Sequence, residues 1–345
     1  MAKKIWLLAI LLLLSFAIVT NWQRISIDLG DASDSDLEQP LVIAYSNWAG
    51  WWPWAIAEQE GLFAKHDLLV ELRWYDDYSK SMEELAAGYI DGNCQTLNDT
   101  ISFAQNAAKG EVVVLVNDNS AGNDKIIAAP GINRIEDLKN KQVAVEAGVV
   151  DDFLLTLALE KAGMSRSDVN ILDVETGAAV EAFATSQVDA VGAFPPFWLT
   201  AMRRAGATEI TSSAAFPGAI PDLLVVTQEL IDRQPDKVQS LVDTWFDILD
   251  FMAQNPVKAD EIMANRAKIN YEQMQLFKAG TRMFSLEDNL EAFSRGETMK
   301  HLSYAAIVIT DFLQNKLKIV DRQPNLVKIF NSSFIKAHAS HQSSP

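Results

Sequence analysis

The chain predicts a two-lobed α/β fold, with two parallel-rich sheets joined by hinge strands and followed by a helical C-terminal segment. Three observations carry this. From Leu41 onward, short apolar runs alternate with helical patterns, as parallel sheets with helices on both faces require. After Leu230 only helical spacing remains, as in Val238, Leu241, Val242, Trp245, Phe246 and Leu249. Two Gly- and Pro-rich stretches, 128–133 and 216–222, interrupt the series. They are expected to be the crossings to the second lobe and back, where a few residues absorb a domain closure.

Taken in order, strands are predicted at 41–45, 69–74, 112–116, 125–129, 142–146, 170–173, 190–193 and 223–227. Helices are predicted at 53–59, 79–87, 101–109, 135–138, 152–162, 178–185 and 197–205, and in the C-terminal part at 236–254, 259–267, 271–277 and 297–314. Asp99 before Thr100, and Asp151-Asp152 before Phe153, read as helix starts. Pro235 and Pro256 punctuate the helical end. The expected plan is a leader at 1–20, a solvated linker at 21–40 and lobe one at 41–128 plus 222–330. Lobe two is expected at 129–221 and a disordered tail at 331–345.

With 345 residues the chain has ample length for two domains. Its 49% apolar and 22% charged residues are ordinary globular composition. A net charge of −17 argues against nucleic acid or an anionic membrane as partner. Lys3 and Lys4 precede an apolar run at 5–19, about the length of a signal-peptide core and shorter than the ~20 residues of a usual membrane span. The folded part is therefore expected to be periplasmic or extracytoplasmic, with anchorage through residues 5–19 as the alternative to cleavage. The single cysteine, Cys94, allows no internal disulfide.

Four of the nine tryptophans lie at Trp48, Trp51, Trp52 and Trp54. They sit where the first strand hands over to its helix, and in open α/β sheets ligands bind at such strand ends. A core spreads large side chains along its elements, so this cluster points to aromatic recognition of a small molecule. Pro53 suits a first helical turn, which places Trp54 inside the helix as a packing residue.

The stretch Asn47-Trp-Ala-Gly-Trp-Trp-Pro-Trp-Ala-Ile-Ala-Glu-Gln-Glu-Gly-Leu-Phe63 resembles the first strand-to-helix turn of solute-binding proteins of the sulfonate, taurine, nitrate and thiamine-precursor uptake family. Leu85-Ala-Ala-Gly-Tyr-Ile-Asp-Gly92 resembles the family's turn before the third strand. Ile135-Glu-Asp-Leu-Lys-Asn-Lys-Gln-Val-Ala-Val145 resembles its way into the second lobe, with Asn140 in place of the usual Gly. Gln187-Val-Asp-Ala-Val-Gly-Ala-Phe194 and Pro221-Asp-Leu-Leu-Val-Val226 continue the likeness over roughly residues 41–255. The resemblance implies a type II-like periplasmic-binding-protein fold. It also implies the exported substrate-binding component of an ABC importer, capturing a small nitrogen- or sulfur-containing organic solute by hinge closure. An inner-membrane permease would be its partner, and the protein would be a monomer without cofactor or metal.

By position, the resemblance places Asn47, Trp48, Trp51, Trp52, Thr96, Asn98, Asn117 and Asn119 on the lobe-one wall of an interlobe cleft. It places Gly148, Asp151, Phe194 and Trp198 on the lobe-two wall, and Asp222 at the return crossing. Plainer roles compete for several. Asp99 beside Thr96 and Asn98 suits a helix cap, Asn117-Asp-Asn-Ser120 a tight turn, and Asp222 the satisfaction of hinge backbone groups. A helix opening at Gly148 favours an anion. Yet that turn carries Asp151-Asp152, and no candidate position holds Lys, Arg or His. A neutral heterocycle or an amine-bearing solute is thus expected ahead of taurine, an alkanesulfonate or nitrate. No Gly-x-Ser-x-Gly, P-loop or His-Glu-x-x-His motif occurs, so a non-enzyme is expected. The alternative is an enzyme on the same fold, of the thiamine-pyrimidine or menaquinone-pathway kind. The former would need a cysteine-rich iron motif that Cys94 alone cannot supply.

Overall fold

The computed structural model describes residues 39–321 and 325–342. The expected leader and nearly all of the expected linker lie outside the described residues. Eleven strands are described: β1 (Leu41–Tyr45), β2 (Val70–Trp74), β3 (Gly92–Thr96), β4 (Val112–Ser120), β5 (Lys125–Ala128), β6 (Gln142–Val145), β7 (Asn170–Asp173), β8 (Ala190–Ala193), β9 (Thr208–Ser212), β10 (Pro221–Val226) and β11 (Thr281–Met283). They form two sheets, in the orders β11-β4-β10-β3-β1-β2 and β7-β6-β8-β5-β9. Within each sheet the pairs of the βαβ units are parallel, β1 with β2 and β3, and β6 with β7 and β8. The strands next to the crossings are antiparallel to their neighbours, β10 between β3 and β4 and β5 between β8 and β9, and β11 also runs antiparallel to β4. A chain that leaves one sheet and returns to it must run back along its own neighbours there.

The first lobe's core is the apolar run Val112–Val116 of β4 with Leu223–Val226 of β10, all within a few per cent of full burial. Helices α1 (Trp54–Glu60), α2 (Tyr78–Ala87) and α3 (Leu97–Ala104) follow β1, β2 and β3. Gly61 ends α1 at φ 71°, a left-handed position where the missing Cβ removes the steric penalty. Asp77 caps α2 by accepting from the Lys80 N–H. Helices α4 (Val150–Lys161), α5 (Thr176–Ala184) and α6 (Phe197–Ala201) belong to the second sheet. The long helix Pro235–Gln254 lays Trp245 against Trp54, with ring centroids 5.0 Å apart.

Several expectations are corrected. The first crossing is residues 121–124, not 128–133, because Lys125–Ala128 pairs with β8 and β9 inside the second sheet. Residues 117–120 are no turn: β4 continues through them, with Pro221 and Asp222 paired on one side and β11 on the other. The N-cap of α3 is Thr96, whose hydroxyl accepts the Asp99 N–H at 3.2 Å, so Asp99 lies within the first turn. The tail expected to be disordered contains the helix Ser333–Gln342. It folds because Phe334, Ile335 and His338 fall on one buried face, with His338 stacked on Phe246 at 4.3 Å.

The two crossings are bonded to each other. The Ser120 and Ser213 hydroxyls lie 2.7 Å apart, the Gly122 N–H donates to Ser213 Oγ at 2.7 Å, and the Ser213 N–H donates to the Asp124 carbonyl at 2.9 Å.

Candidate functional site

The interlobe cleft begins at the turn after β1. The Trp48 N–H bonds back to the Ser46 carbonyl and the Trp51 N–H to that of Trp48. This tight coil lifts the two indoles to the strand end while Trp52 and Trp54 turn inward. A narrow cavity lies there, lined by Ser46, Asn47, Trp48, Trp51, Tyr78 and Thr96 from the first lobe, Asp222 and Ile220 from the return, Asp124 from the outward crossing, and Val150 and Phe194 from the second lobe. A second space continues it past Asp76, Asp77, Glu146 and Glu175. The two share Ser46, Asn47, Tyr78 and Phe194.

An aromatic series spans the gap between the lobes. Trp48 and Trp51 lie 6.2 Å apart, Trp51 and Tyr78 5.4 Å, Tyr78 and Phe194 6.5 Å, and Phe194 and Phe197 5.3 Å, the last two pairs edge-on. Tyr78 is held by both ends of its hydroxyl, donating to Asp99 Oδ2 at 2.8 Å and accepting the Thr96 N–H at 2.9 Å. Beside the cleft, two bonds close the lobes on each other. Asn98 Nδ2 donates to the Gly148 carbonyl at 2.6 Å, and Ser79 Oγ donates to Glu146 Oε1 at 2.9 Å.

Carboxyl groups surround this space without a cation among its lining residues. Asp118 and Asp222 are directly paired across β4 and β10, both buried. Trp48 Nε1 donates to Asp118 Oδ1 at 3.0 Å, while Asp118 Oδ2, Asp222 Oδ2 and both oxygens of Asp124 have no hydrogen-bond partner. Desolvation by burial pushes Asp118 and Asp124 up to about 7 and Asp99 to about 6. Asp222 is held well above the usual carboxylate range by burial, then by the charges of Asp118 and Asp124. Burial, followed by the Glu146 charge, does the same to Asp151.

Of the thirteen residues proposed from sequence, the cleft gathers Asn47, Trp48, Trp51, Thr96, Phe194 and Asp222. Trp52 is fully buried, edge-on to Phe277 at 5.9 Å. Trp198 packs edge-on to the same ring at 5.4 Å, with Lys125 Nζ 5.1 Å above it. Asn98 Nδ2 donates to the Gly148 carbonyl and to Asp99 Oδ1 while its Oδ1 is buried without a partner, and Asp151 Oδ2 accepts the Glu146 N–H while its Oδ1 has none. Asn117 is sealed within β4, and Asn119 lines a different cavity. Sequence reasoning missed Tyr78, Asp118 and Asp124. Tyr78 opens a helix directly after Asp76-Asp77, a weak signal. Asp118 lay hidden inside a stretch read as a turn.

No group of three or more His, Cys, Asp and Glu side chains suited to a metal occurs among the described residues. Nor is any helix there long and apolar enough to cross a membrane.

A family model described as the NMT1-like family matches residues 36–267. A provisionally named binding protein of Brucella abortus (strain 2308) is 27% identical over 268 residues, covering 76% of this chain and 82% of that protein. Among solved structures, the periplasmic aliphatic sulphonate binding protein SsuA from Escherichia coli superposes with a TM-score of 0.68 at 18% identity, over 85% of this chain and 97% of that one. The periplasmic nitrate-binding protein NrtA from Synechocystis PCC 6803 gives 0.69 at 12%, over 89% of each. The desulfurization enzyme DSZB gives 0.63 at 12%, over 88% and 99%. These likenesses establish a periplasmic-binding-protein fold, which carries binding proteins and an enzyme alike.

Proposed function

The chain belongs to the NMT1-like family, and from that premise we propose that it is the extracytoplasmic substrate-binding component of an ABC-type importer whose cargo is a small, flat organic cation. One observation carries the choice of cargo: a buried aromatic cleft lined by Asp124 and Asp222, three of whose carboxyl oxygens are unpartnered, with no Lys, Arg or His among the residues lining it. Without a ligand, burial favours the protonated form of these carboxyls, and an ionised one is tolerated there only when paired. A protonated amine or amino-heterocycle supplies the missing partner, and the Trp48, Trp51 and Tyr78 faces favour a cation or a ring. The outer carboxyls of Asp76, Asp77 and Glu175 line its path inward and attract positive charge.

Binding proceeds by closure. The cation settles on the lobe-one aromatics against Asp222. Lobe two then brings Phe194 and Val150 over it and makes the Asn98–Gly148 and Ser79–Glu146 bonds. The ligand shifts the open–closed balance only by its preference for the closed form, and Phe194 and Asp124 provide that preference. The closed protein then delivers its cargo to a membrane permease. A taurine, alkanesulfonate or nitrate role would need a cationic or donor-rich cleft. The carboxyl ring repels those anions.

Titration calorimetry with 4-aminopyridine, tyramine and choline, set against taurine, hexanesulfonate and nitrate, tests the reading. A flat cation should bind and be recovered unchanged. Asp222→Asn should weaken it by about 30-fold or more, the scale of losing one partner of a buried charge pair. Tight binding of taurine or nitrate with no cation bound would overturn it, and chemical conversion of the bound cation would favour an enzyme.

A further inference from the structure

We propose that a second cavity, at the hinge, is a binding site for a small amphipathic monoanion, an aryl or alkyl carboxylate. It shares no lining residue with the inner cleft. Its chemistry is the reverse of the cleft's. Asn119 and Arg282 stand directly opposite each other on β4 and β11, so their side chains share one face of the sheet edge. Asn119 is 5% exposed, and its Oδ1 accepts the Gly218 N–H at 3.2 Å. That bond fixes the amide so that Nδ2, buried and without a partner, remains as a free donor.

Arg282 lies 5.3 Å over the Phe284 ring and gives one N–H to Asp288 Oδ1. The planar guanidinium keeps further donors for a carboxylate. Lys300 adds a second cation, in a long, exposed ion pair with Glu291 at 3.9 Å. No Asp or Glu is among the residues lining the cavity, and Phe284, Met299 and Leu302 supply an apolar wall. In a chain of net charge −17, a cavity lined by two cations and no carboxylate selects for anions, and its wall selects for those with an apolar body. An arylcarboxylate places its oxygens on Asn119 Nδ2 and Arg282 and its ring on Phe284 and Met299.

The site touches both crossings, through Ser120 and Ala121 on one side and Ser213 and Gly218 on the other. Opening the lobes moves these segments, so an occupant favours one hinge state. Reciprocity then requires anion and cleft ligand to change each other's affinity by the same factor. The proposal does not depend on what the cleft binds.

Calorimetry of the full chain with benzoate and hexanoate, at ionic strength held constant with chloride, tests it. Saturable binding is expected. Arg282→Gln and Asn119→Asp should each weaken it about tenfold or more, the worth of a hydrogen bond to a charged group. Arg282→Lys should retain part of the affinity. Trp54→Phe, which lines neither cavity, should leave benzoate binding unchanged. No heat up to about 10 mM benzoate, beyond the millimolar range of even weak specific sites, overturns the proposal. So does inorganic sulfate binding as well as benzoate, or equal affinity in the Arg282→Gln and Asn119→Asp proteins.

Discussion

Asp222→Asn should stabilise the ligand-free protein at alkaline pH while weakening cation binding. The unfolded chain ionises its aspartates near their ordinary value of 3.8, whereas burial holds Asp118 to about 7 and Asp222 well above the usual range. Between those limits the native state keeps protons that the unfolded state has released. Stability is therefore fully present below pH ~4 and is lost as pH rises through about 7. For Asp118, a span of about three pH units at 1.36 kcal/mol each gives about 4 kcal/mol as a ceiling, and relaxation and water penetration reduce it. Asp222, opposite it in the register, acts in the same direction. The neutral amide removes one member of the pair and relieves the other. A gain of about 2–4 kcal/mol at pH 8 is expected, shrinking toward zero near pH 4. At about 2 °C per kcal/mol for a chain of this size, the melting temperature should rise by about 4–8 °C. Differential scanning fluorimetry and urea denaturation at pH 5, 6.5 and 8 read this directly. Wild-type stability independent of pH over that range would refute the reasoning, as would a variant destabilised equally at pH 5 and pH 8.

Other outcomes follow from the same geometry. Asn98→Ala removes the 2.6 Å bond to the Gly148 carbonyl, worth about 1 kcal/mol. The closed form should lose about fivefold in population, seen by X-ray scattering as a larger radius of gyration in the liganded protein. Trp51→Phe should abolish most of the ligand-induced change in tryptophan emission, while Trp54→Phe, packed against Phe63 and Trp245, should preserve it. A Cβ at Gly50 would lie 1.7 Å from Asp118 Oδ2. Gly50→Ala should therefore displace that carboxyl from Trp48, costing about 1–3 kcal/mol in urea unfolding and at least tenfold in cation affinity. Truncation after residue 332 removes buried Phe334 and Ile335 and should cost about 3–6 kcal/mol at 1.5–3 kcal/mol per side chain. An unchanged unfolding midpoint would return the tail to a peripheral role.

Much of this was legible in the chain. The alternation of apolar runs and helical spacing located most of the strands, and the turn at Asn47–Trp51 proved to be a wall of the cleft because strand ends are where α/β sheets leave space. What failed was the reading of polar residues. Asn117-Asp-Asn-Ser120 has turn composition, and only the arrival of Pro221 and Asp222 from a hundred residues away makes it a strand. The same distance hid Asp118, whose place in the site comes from Asp222 across the ladder and the Trp48 indole above it. Lys125–Ala128 was given to the wrong lobe because its apolar pattern is equally good in either sheet. The tail misled through its Ser and His content, since the two residues that bury it, Phe334 and Ile335, stand just ahead of the polar run.

The strand order has a consequence for the timing of folding. Lobe two is built from one continuous stretch, so β5 through β9 can pair as soon as residue 212 has emerged. The first sheet has no such freedom. Its β10 lies between β3 and β4, and until residues 221–226 arrive the apolar Val112–Val116 strand has no neighbour on either side. The sheet that carries the tryptophan wall must therefore form after the sheet that closes over it. Interrupting synthesis between residues 212 and 221 should leave a folded second lobe joined to an adhesive, unpaired strand, the state in which this protein is most exposed to aggregation.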